Sequence, residues 1–435
     1  MSTTDRITVP TIEKEHYYHG LLPREDIMTL LTENGDYVIR MTEPKAGEPR
    51  QYILSVMYNK TLPDDVKMKH YIIKSDQNGF TIDDTNRFIS IQKLVDFHKK
   101  NRKPAPNCTE PLILIRPIMR QSWELDHESV VIQKKLGEGA FGEVCMGELR
   151  LKGSNKAGGK PVKVAVKQAK IGNMTKEQIK EFMREARIMR PLSHPHVVKF
   201  YGVAAGEEPL YMVMELASNG SLDSYLKKNP DLSLERYNEM VLQAAWGIEY
   251  LHSLSIIHRD IAARNCLYGD RAVKISDFGL SRPGPIYNMD PKKNVPIRWL
   301  AIETLTQFVY TYKTDVWSFG ILAWEIYSKG VEPYPEFSVA QVNQQVRVGY
   351  RMEFPPTVNP EVAKTVLERC WCEDPNMRFT MPELVQFLKN FFGMRNPTQT
   401  PNKTRIALLQ SSKRRMSKPS KINNNNWLKK GGMMK

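Results

Sequence analysis

The chain of 435 residues is 41% hydrophobic and 26% charged, which suits two or three folded units at roughly 150 residues each and excludes collagen-like, repeat-only and wholly disordered architectures. Its 63 basic and 48 acidic side chains give a net charge of +15. Eleven of the basic residues and no acidic ones lie in residues 394–435, so the rest carries only +4 and a nucleic-acid-binding main body is disfavoured.

Five cysteines, Cys108, Cys145, Cys266, Cys370 and Cys372, lack both zinc-type C-x-x-C pairs and the density of a secreted scaffold, so reduced thiols are expected. No apolar run approaches the roughly 18 residues of a membrane-spanning helix. The start, Met1-Ser2-Thr3, offers neither an apolar signal core nor a glycine for myristoylation. A cytoplasmic protein is expected.

In chain order, Ile27, Leu30 and Leu31 at helical spacing precede three short β-branched and aromatic segments at 37–39, 52–56 and 70–73. Ile91, Leu94, Val95 and His98 then restore helical spacing. This predicts a small sheet between two helices, about a hundred residues long. A short stretch at 117–122 separates it from strand-like segments at 130–136, 143–149 and 162–168, with a Gly/Lys-rich hairpin loop at 152–160. Ile179, Phe182, Met183, Ala186 and Met189 predict the next helix, and longer helical segments follow at 237–252, 314–327 and 339–348. A sheet-rich small lobe before a helix-rich large lobe is the result. The tail, with Lys413-Arg414-Arg415 and an asparagine run at 423–426, has no apolar periodicity and is expected to be disordered; its charge also permits contact with anionic lipid.

Gly137-Glu138-Gly139-Ala140-Phe141-Gly142-Glu143-Val144 spells G-x-G-x-x-G-x-V between two strands, where missing side chains let backbone amides approach phosphate oxygens. A glycine hairpin without a ligand would read the same, whereas a dinucleotide-binding turn requires a following helix, and here a strand follows. Val164-Ala165-Val166-Lys167 puts an ammonium on an apolar strand, where burial without a partner is costly. Glu185 on the next helix is the candidate partner, although each residue read alone is an ordinary surface charge. His258-Arg259-Asp260-Ile261-Ala262-Ala263-Arg264-Asn265 and Asp277-Phe278-Gly279 complete the set. Phosphoryl transfer needs a carboxylate near the attacking hydroxyl, hard oxygen ligands for Mg²⁺ and a lysine on the phosphates. Any one of these Asp residues could be a cap or turn residue, but the ordered set is not expected by accident.

On these motifs residues 123–393 resemble a eukaryotic protein kinase domain, with Asp315-Val316-Trp317-Ser318-Phe319-Gly320 and Arg378 also in place. The resemblance implies a bilobal fold using ATP with Mg²⁺ or Mn²⁺. Asp260 would be the catalytic base, Asn265 and Asp277 the metal ligands, Lys167 and Glu185 the phosphate-side pair, and Glu303 the partner of Arg378. It also implies that Leu136, Gly137, Gly139, Gly142 and Val144 border the nucleotide, that Ala165 and Leu267 sandwich the adenine, that Glu215 and Ala217 offer hinge backbone groups, and that Met214 is the gatekeeper. Serine/threonine kinases usually carry a lysine two residues after the catalytic Asp; here Ala262 stands there and the cation is Arg264. Val295-Pro296-Ile297-Arg298-Trp299 resembles the segment that supports a phenol ring, so tyrosine specificity is implied. Tyr287 lies where activation-loop phosphosites occur, and a phosphate there would bring roughly two negative charges towards Arg259; an unmodified exposed tyrosine is the plain alternative. Ala301-Ile302-Glu303 departs from the usual A-P-E.

Tyr17-Tyr18-His19-Gly20, Arg24 and Gly35-Asp36-Tyr37-Val38-Ile39-Arg40 resemble the opening of an SH2 domain, and His70-Tyr71 its fourth strand. A guanidinium at the bottom of a deep pocket can grip phosphotyrosine bidentately where a serine phosphate cannot reach. Arg40 would do this, with donors from Arg24 and Ser55 and with His70 flanking the phenol. The alternative is a structural salt bridge, for which Asp36 is the near acid in sequence. Tyr17 and Tyr37 replace the usual tryptophan and phenylalanine.

The expected architecture is therefore α+β and multidomain: an N-terminal extension (1–13), an SH2 domain with a central antiparallel sheet flanked by two helices (14–118), a linker (119–122), a bilobal tyrosine kinase domain (123–393) and the basic tail (394–435). Trp123-Glu124-Leu125, Met214-Glu215-Leu216 and Ala262-Ala263-Arg264 place the resemblance nearest the Fes/Fer group of non-receptor kinases. A shortened member is expected, since the membrane-bending helical domain of that group and any SH3 segment have no counterpart here. Such an enzyme would phosphorylate protein tyrosines, bind tyrosine-phosphorylated proteins, reach the membrane periphery if its tail meets anionic lipid, and take no specific nucleic acid. A catalytically inactive adaptor is the rival; retention of Lys167, Asp260, Asn265 and Asp277 argues against it.

Overall fold

Residues 11–43, 48–102, 111–139, 142–150, 160–169, 174–291 and 295–394 are described by the computed structural model. Cys108, Ala140 and Phe141 at the tip of the glycine loop, most of the 152–160 loop and all but the first residue of the basic tail lie outside these residues.

In the first module the alternation of residues 36–76 is realised as an antiparallel meander. The elements are α1 (Arg24–Leu30), β1 (Asp36–Thr42), β2 (Gln51–Met57), β3 (Met68–Asp76), β4 (Gly79–Thr81), α2 (Ile91–Asn101) and β5 (Arg116–Pro117). The sheet runs β4-β3-β2-β1-β5, with β5 parallel to β1. Opposed residues share a face, so the pairs Val38↔Ser55, Arg40↔Ile53 and Ser55↔His70 bring Arg40, Ser55 and His70 to one side. The other side buries Tyr37, Ile39, Leu54 and Val56 against Ile91, Leu94 and Val95 of α2. Ser90 caps α2 by accepting the Lys93 N–H, and the helix stops at Arg102 in the left-handed region.

The second module opens with β6 (Val130–Gly139), β7 (Gly142–Leu149), β8 (Val162–Ala169), α3 (Lys176–Met189), β9 (Phe200–Ala204) and β10 (Tyr211–Glu215). These strands form an antiparallel sheet ordered β6-β7-β8-β10-β9. Helix α3 begins with a capping box between Thr175 and Gln178. The larger lobe contains α4 (Leu222–Lys228), α5 (Leu234–Ser253), β11 (Ile256–Ile257), β12 (Cys266–Gly269), β13 (Ala272–Ile275), β14 (Arg282–Pro283), β15 (Ile286–Asn288), α6 (Ile302–Gln307), β16 (Val309–Thr311), α7 (Tyr312–Tyr327), α8 (Val339–Arg347), α9 (Pro360–Arg369) and α10 (Met381–Phe392). Helix α7 is its axis: every residue from Thr314 to Tyr327 is buried, as expected of a helix apolar all round. Arg378 and Glu303, both buried, meet in a bidentate pair at 2.7 and 2.9 Å. Among the described residues no helix is long and apolar enough to cross a membrane.

The two modules touch along a polar seam. Asp26 of α1, fully buried, receives Arg187 of α3 (3.1 Å) and Arg190, which caps that helix (2.7 Å). Arg190 also lies over the Trp123 ring at 3.4 Å. Arg50 donates to the Met174 carbonyl (3.0 Å), just ahead of α3, and to Glu208 (2.5 Å). The ring nitrogens of His19 face the Glu124 carboxylate (2.8 Å) and the Ile118 carbonyl (2.9 Å). Gly20 has φ +57°, and a Cβ there would meet the Ala205 carbonyl oxygen at 2.0 Å, so this close approach admits only glycine.

Candidate active site

The cleft between the lobes of the second module gathers the polar residues singled out above. Register Val144↔Lys167 places the lysine on β8 opposite the glycine hairpin. Its Nζ donates to both oxygens of Glu185 on α3, at 2.9 and 2.7 Å. Burial pushes the Glu185 carboxyl upward and Lys167 pulls it back. Gly137, Gly139, Gly142 and Val144 form the hairpin of β6 and β7, with Leu136 half-exposed beside it. Gly142 has φ +148°, and a Cβ there would lie 2.0 Å from the Gln168 carbonyl oxygen, so no side chain fits. Ala165 pairs with Met214 on β10, which leads into Glu215 and Ala217, while Leu267 lies on β12 of the other lobe.

Across the cleft, Asn265 Nδ2 donates to Asp260 Oδ2 (2.7 Å) and to its carbonyl (2.9 Å), and Arg264 bonds Asp260 Oδ1. Burial raises the Asp260 carboxyl, opposed first by Arg264. His258 is oriented by two bonds: its Nε2–H donates to the Ser276 carbonyl (3.0 Å) and its Nδ1 accepts the Asp260 N–H (3.3 Å). The backbone N–H groups of His258 and Arg259 both donate to buried Asp315 of α7, at 2.8 and 2.9 Å. Asp277 is exposed to the cleft with φ +58°, whereas Phe278 is fully buried against His258. Tyr287 lies half-buried with its ring beside Arg259 (4.0 Å) and Arg282 (5.3 Å).

The donor set suits a hard divalent cation. Among the described residues no group of three or more His, Cys, Asp or Glu could hold a metal by protein ligands alone. The Asp277 carboxylate and the Asn265 side-chain oxygen, whose amide nitrogen is already committed to Asp260, are hard donors of the kind Mg²⁺ takes together with water and phosphate.

In the first module, Arg40 is buried on β1 and donates from Nε to Ser55 Oγ at 3.2 Å; no carboxylate among the described residues is bonded to it. The salt-bridge alternative is not what forms: Asp36 is claimed by Arg116, at 2.8 Å to each oxygen. Burial, with Arg24 adding repulsion, pushes Arg40 down to about 10. His70 Nδ1 meets Ser55 Oγ at 2.9 Å, and burial, then Arg40 and Arg24, push His70 down to about 4, so it is neutral near pH 7. Arg24 itself is exposed and donates to the Asp65 carbonyl at 3.0 Å.

The seam residues Asp26, Arg187 and Arg190 were not among those singled out from the sequence, because charges at the ends of a helix read as dipole partners, and Arg50, just ahead of β2, reads as a loop charge. Glu325 also escaped, although an acid in the apolar run Ile321-Leu322-Ala323-Trp324-Glu325-Ile326 is a usable signal.

A five-stranded sheet with a buried arginine bonded, among the described residues, to no acid, joined to a two-lobed module with Lys167–Glu185 on one lobe and Asp260–Asn265 on the other, is the arrangement of a kinase preceded by a phosphate-reading module, and comparisons with known proteins agree. A family model for protein tyrosine and serine/threonine kinases matches residues 130–388, and one for the SH2 domain matches residues 17–98. Fer-related kinase 1 of Caenorhabditis elegans is 40% identical over 395 residues, covering 90% of this chain and 97% of that relative. Human tyrosine-protein kinase Fer is 37% identical over 387 residues (88% of this chain, 44% of the relative). The tyrosine-protein kinase transforming protein Fps of Fujinami sarcoma virus is 36% identical over 379 residues (85% and 41%). The chain thus spans nearly all of the nematode relative and less than half of the other two. It belongs to the protein tyrosine and serine/threonine kinase family, as a non-receptor tyrosine kinase of the Fer/Fps type carrying an SH2 domain.

Proposed function

We propose that Lys167, Glu185, Asp260, Arg264, Asn265 and Asp277 carry the transfer of the γ-phosphoryl of MgATP to protein tyrosines. The observation that supports this most is the pair of bonded sets facing one cleft, Lys167–Glu185 on one wall and Asn265–Asp260–Arg264 on the other. In this reading the acceptor phenol oxygen bonds to the γ-phosphorus as the β,γ-bridging bond breaks, and Asp260 takes the phenol proton. Bound Mg²⁺ supplies charge neutralisation on the phosphates. Lys167 holds the α- and β-phosphate side, and Asn265 and Asp277 hold the metal. Label transfer from [γ-³²P]ATP to a tyrosine peptide, lost in Asp260→Asn and retained in wild type, tests it; equal rates would overturn it and favour an adaptor.

Arg40, Ser55 and His70 are proposed to receive the phosphotyrosine of partner proteins, with Arg24 swinging from Asp65 to join them. Tyr287 is proposed as an autophosphorylation site whose phosphate would meet Arg259 and Arg282. Because α1 is ion-paired to α3, which carries Glu185, docked SH2 domain is proposed to hold Glu185 inward. Equal specific activity with and without phosphopeptide would remove that last clause.

A further inference from the structure

Helix α7 carries three buried polar side chains besides the cap residues, and their spacing is informative. Asp315, Ser318 and Glu325 project within one sector of the helix, since steps of three and seven residues return to nearly the same face. Asp315 fixes the catalytic loop at His258 and Arg259. Ser318 Oγ donates to the Trp299 carbonyl at 2.8 Å. Glu325, 4% exposed, accepts two hydrogen bonds on a single oxygen: the Ala263 N–H at 2.9 Å and the Trp299 indole N–H at 3.0 Å.

Those two donors come from segments with different tasks. Ala263 belongs to the catalytic loop, three residues beyond Asp260; Trp299 closes the Val295–Trp299 segment that faces the acceptor in the reading above. The Trp299 ring in turn carries the Arg264 guanidinium at 4.0 Å, and Arg264 is bonded to Asp260. Asp260 is therefore bracketed by α7, through Asp315 before it and Glu325 after it. Nothing in the transfer step itself needs a carboxylate at 325, and burying one is expensive unless its bonds are used. Burial indeed pushes its carboxyl up to about 7, against the pull of the Trp299 and Ala263 donors.

We infer that Glu325 is a positioning residue for the acceptor: it locks Trp299 to the catalytic loop, and so sets the Trp299–Arg264 stack that shapes the slot for a tyrosine hydroxyl beside Asp260. The inference rests on the kinase reading above and deepens it, because it concerns acceptor geometry and leaves the nucleotide side untouched.

The test is steady-state kinetics on the full chain with a tyrosine peptide and MgATP varied separately. In Glu325→Leu two buried N–H groups lose their acceptor, and the peptide KM rises about tenfold or more, while the KM for MgATP stays within about twofold. Glu325→Gln keeps a neutral acceptor and recovers most of the peptide affinity. Should Glu325→Leu fail to fold, Trp299→Phe replaces it: it removes the indole N–H that Glu325 accepts while keeping an aromatic ring, and is expected to raise the peptide KM with the KM for MgATP within about twofold. A peptide KM within twofold of wild type or parallel rises in both KM values would each overturn the inference. A wild-type chain that labels no tyrosine peptide would instead remove the kinase reading, and this inference with it.

Discussion

Both modules carry a cation that the proposed function assigns to a phosphate, and they hold it in opposite ways. Arg40 is buried with a hydroxyl for company and, among the described residues, no bonded acid, which suits the ligand role proposed for it. Lys167, on β8, is clasped by both oxygens of Glu185 on a separate element, α3. The difference teaches what each site is for. A reader must be attractive before its partner arrives, so an unpaired charge is the driving force; a catalyst must be aimed, and a carboxylate on a separate helix both aims it and provides the means of switching it off.

Breaking the catalytic side alone is expected to have the largest effect. Asp260→Asn should lower peptide phosphorylation about 10³-fold, within the range for loss of a general base, with phosphopeptide binding by fluorescence polarisation unchanged. Breaking the reader alone comes next. Arg40→Leu should weaken phosphopeptide binding about 10²-fold, since at least two charge-assisted bonds at about 1.5–3 kcal/mol each are lost; the same variant should label a peptide without phosphotyrosine at a rate set only by how well the modules stay docked. The seam sharpens the comparison by joining its two halves. Asp26→Asn leaves Arg187 and Arg190 facing a neutral amide, and specific activity should fall about fivefold, roughly 1 kcal/mol, with the phosphopeptide Kd held within twofold. A fall in both would show that the seam supports folding and not coupling. Smallest is Tyr287→Phe, expected to slow peptide labelling about threefold only after preincubation with MgATP, when wild type gains phosphate; mass spectrometry of the preincubated chain checks the premise.

Much of this was legible in the sequence because phosphoryl-transfer residues sit in short motifs, where spacing survives without tertiary knowledge. The glycine hairpin, Lys167, the 258–265 loop and 277–279, each ambiguous alone, were readable through their order along the chain, and the stripe Ile179, Phe182, Met183, Ala186, Met189 lies within the observed α3. What escaped depends on partners distant in sequence. Asp36 looked available to Arg40 until the chain returned at β5 with Arg116, 80 residues on. Asp26 finds its two arginines more than 160 residues later. Glu325 is unremarkable as a letter, and its meaning appears only once Ala263 and Trp299 are brought to the same side of α7. Strand β9 has no counterpart in the sequence reading and β10 only the hinge residues at its end, since their continuous apolar character is that of buried strands without alternation.

The approach of Gly20 to the Ala205 carbonyl has one more consequence. A single methyl at that point would press on a backbone that belongs to the other module, so relief would have to come where the Asp26–Arg190, Asp26–Arg187 and Arg50–Glu208 pairs cross between them. The smallest side-chain enlargement available to the chain would thus be felt first in how its two modules meet.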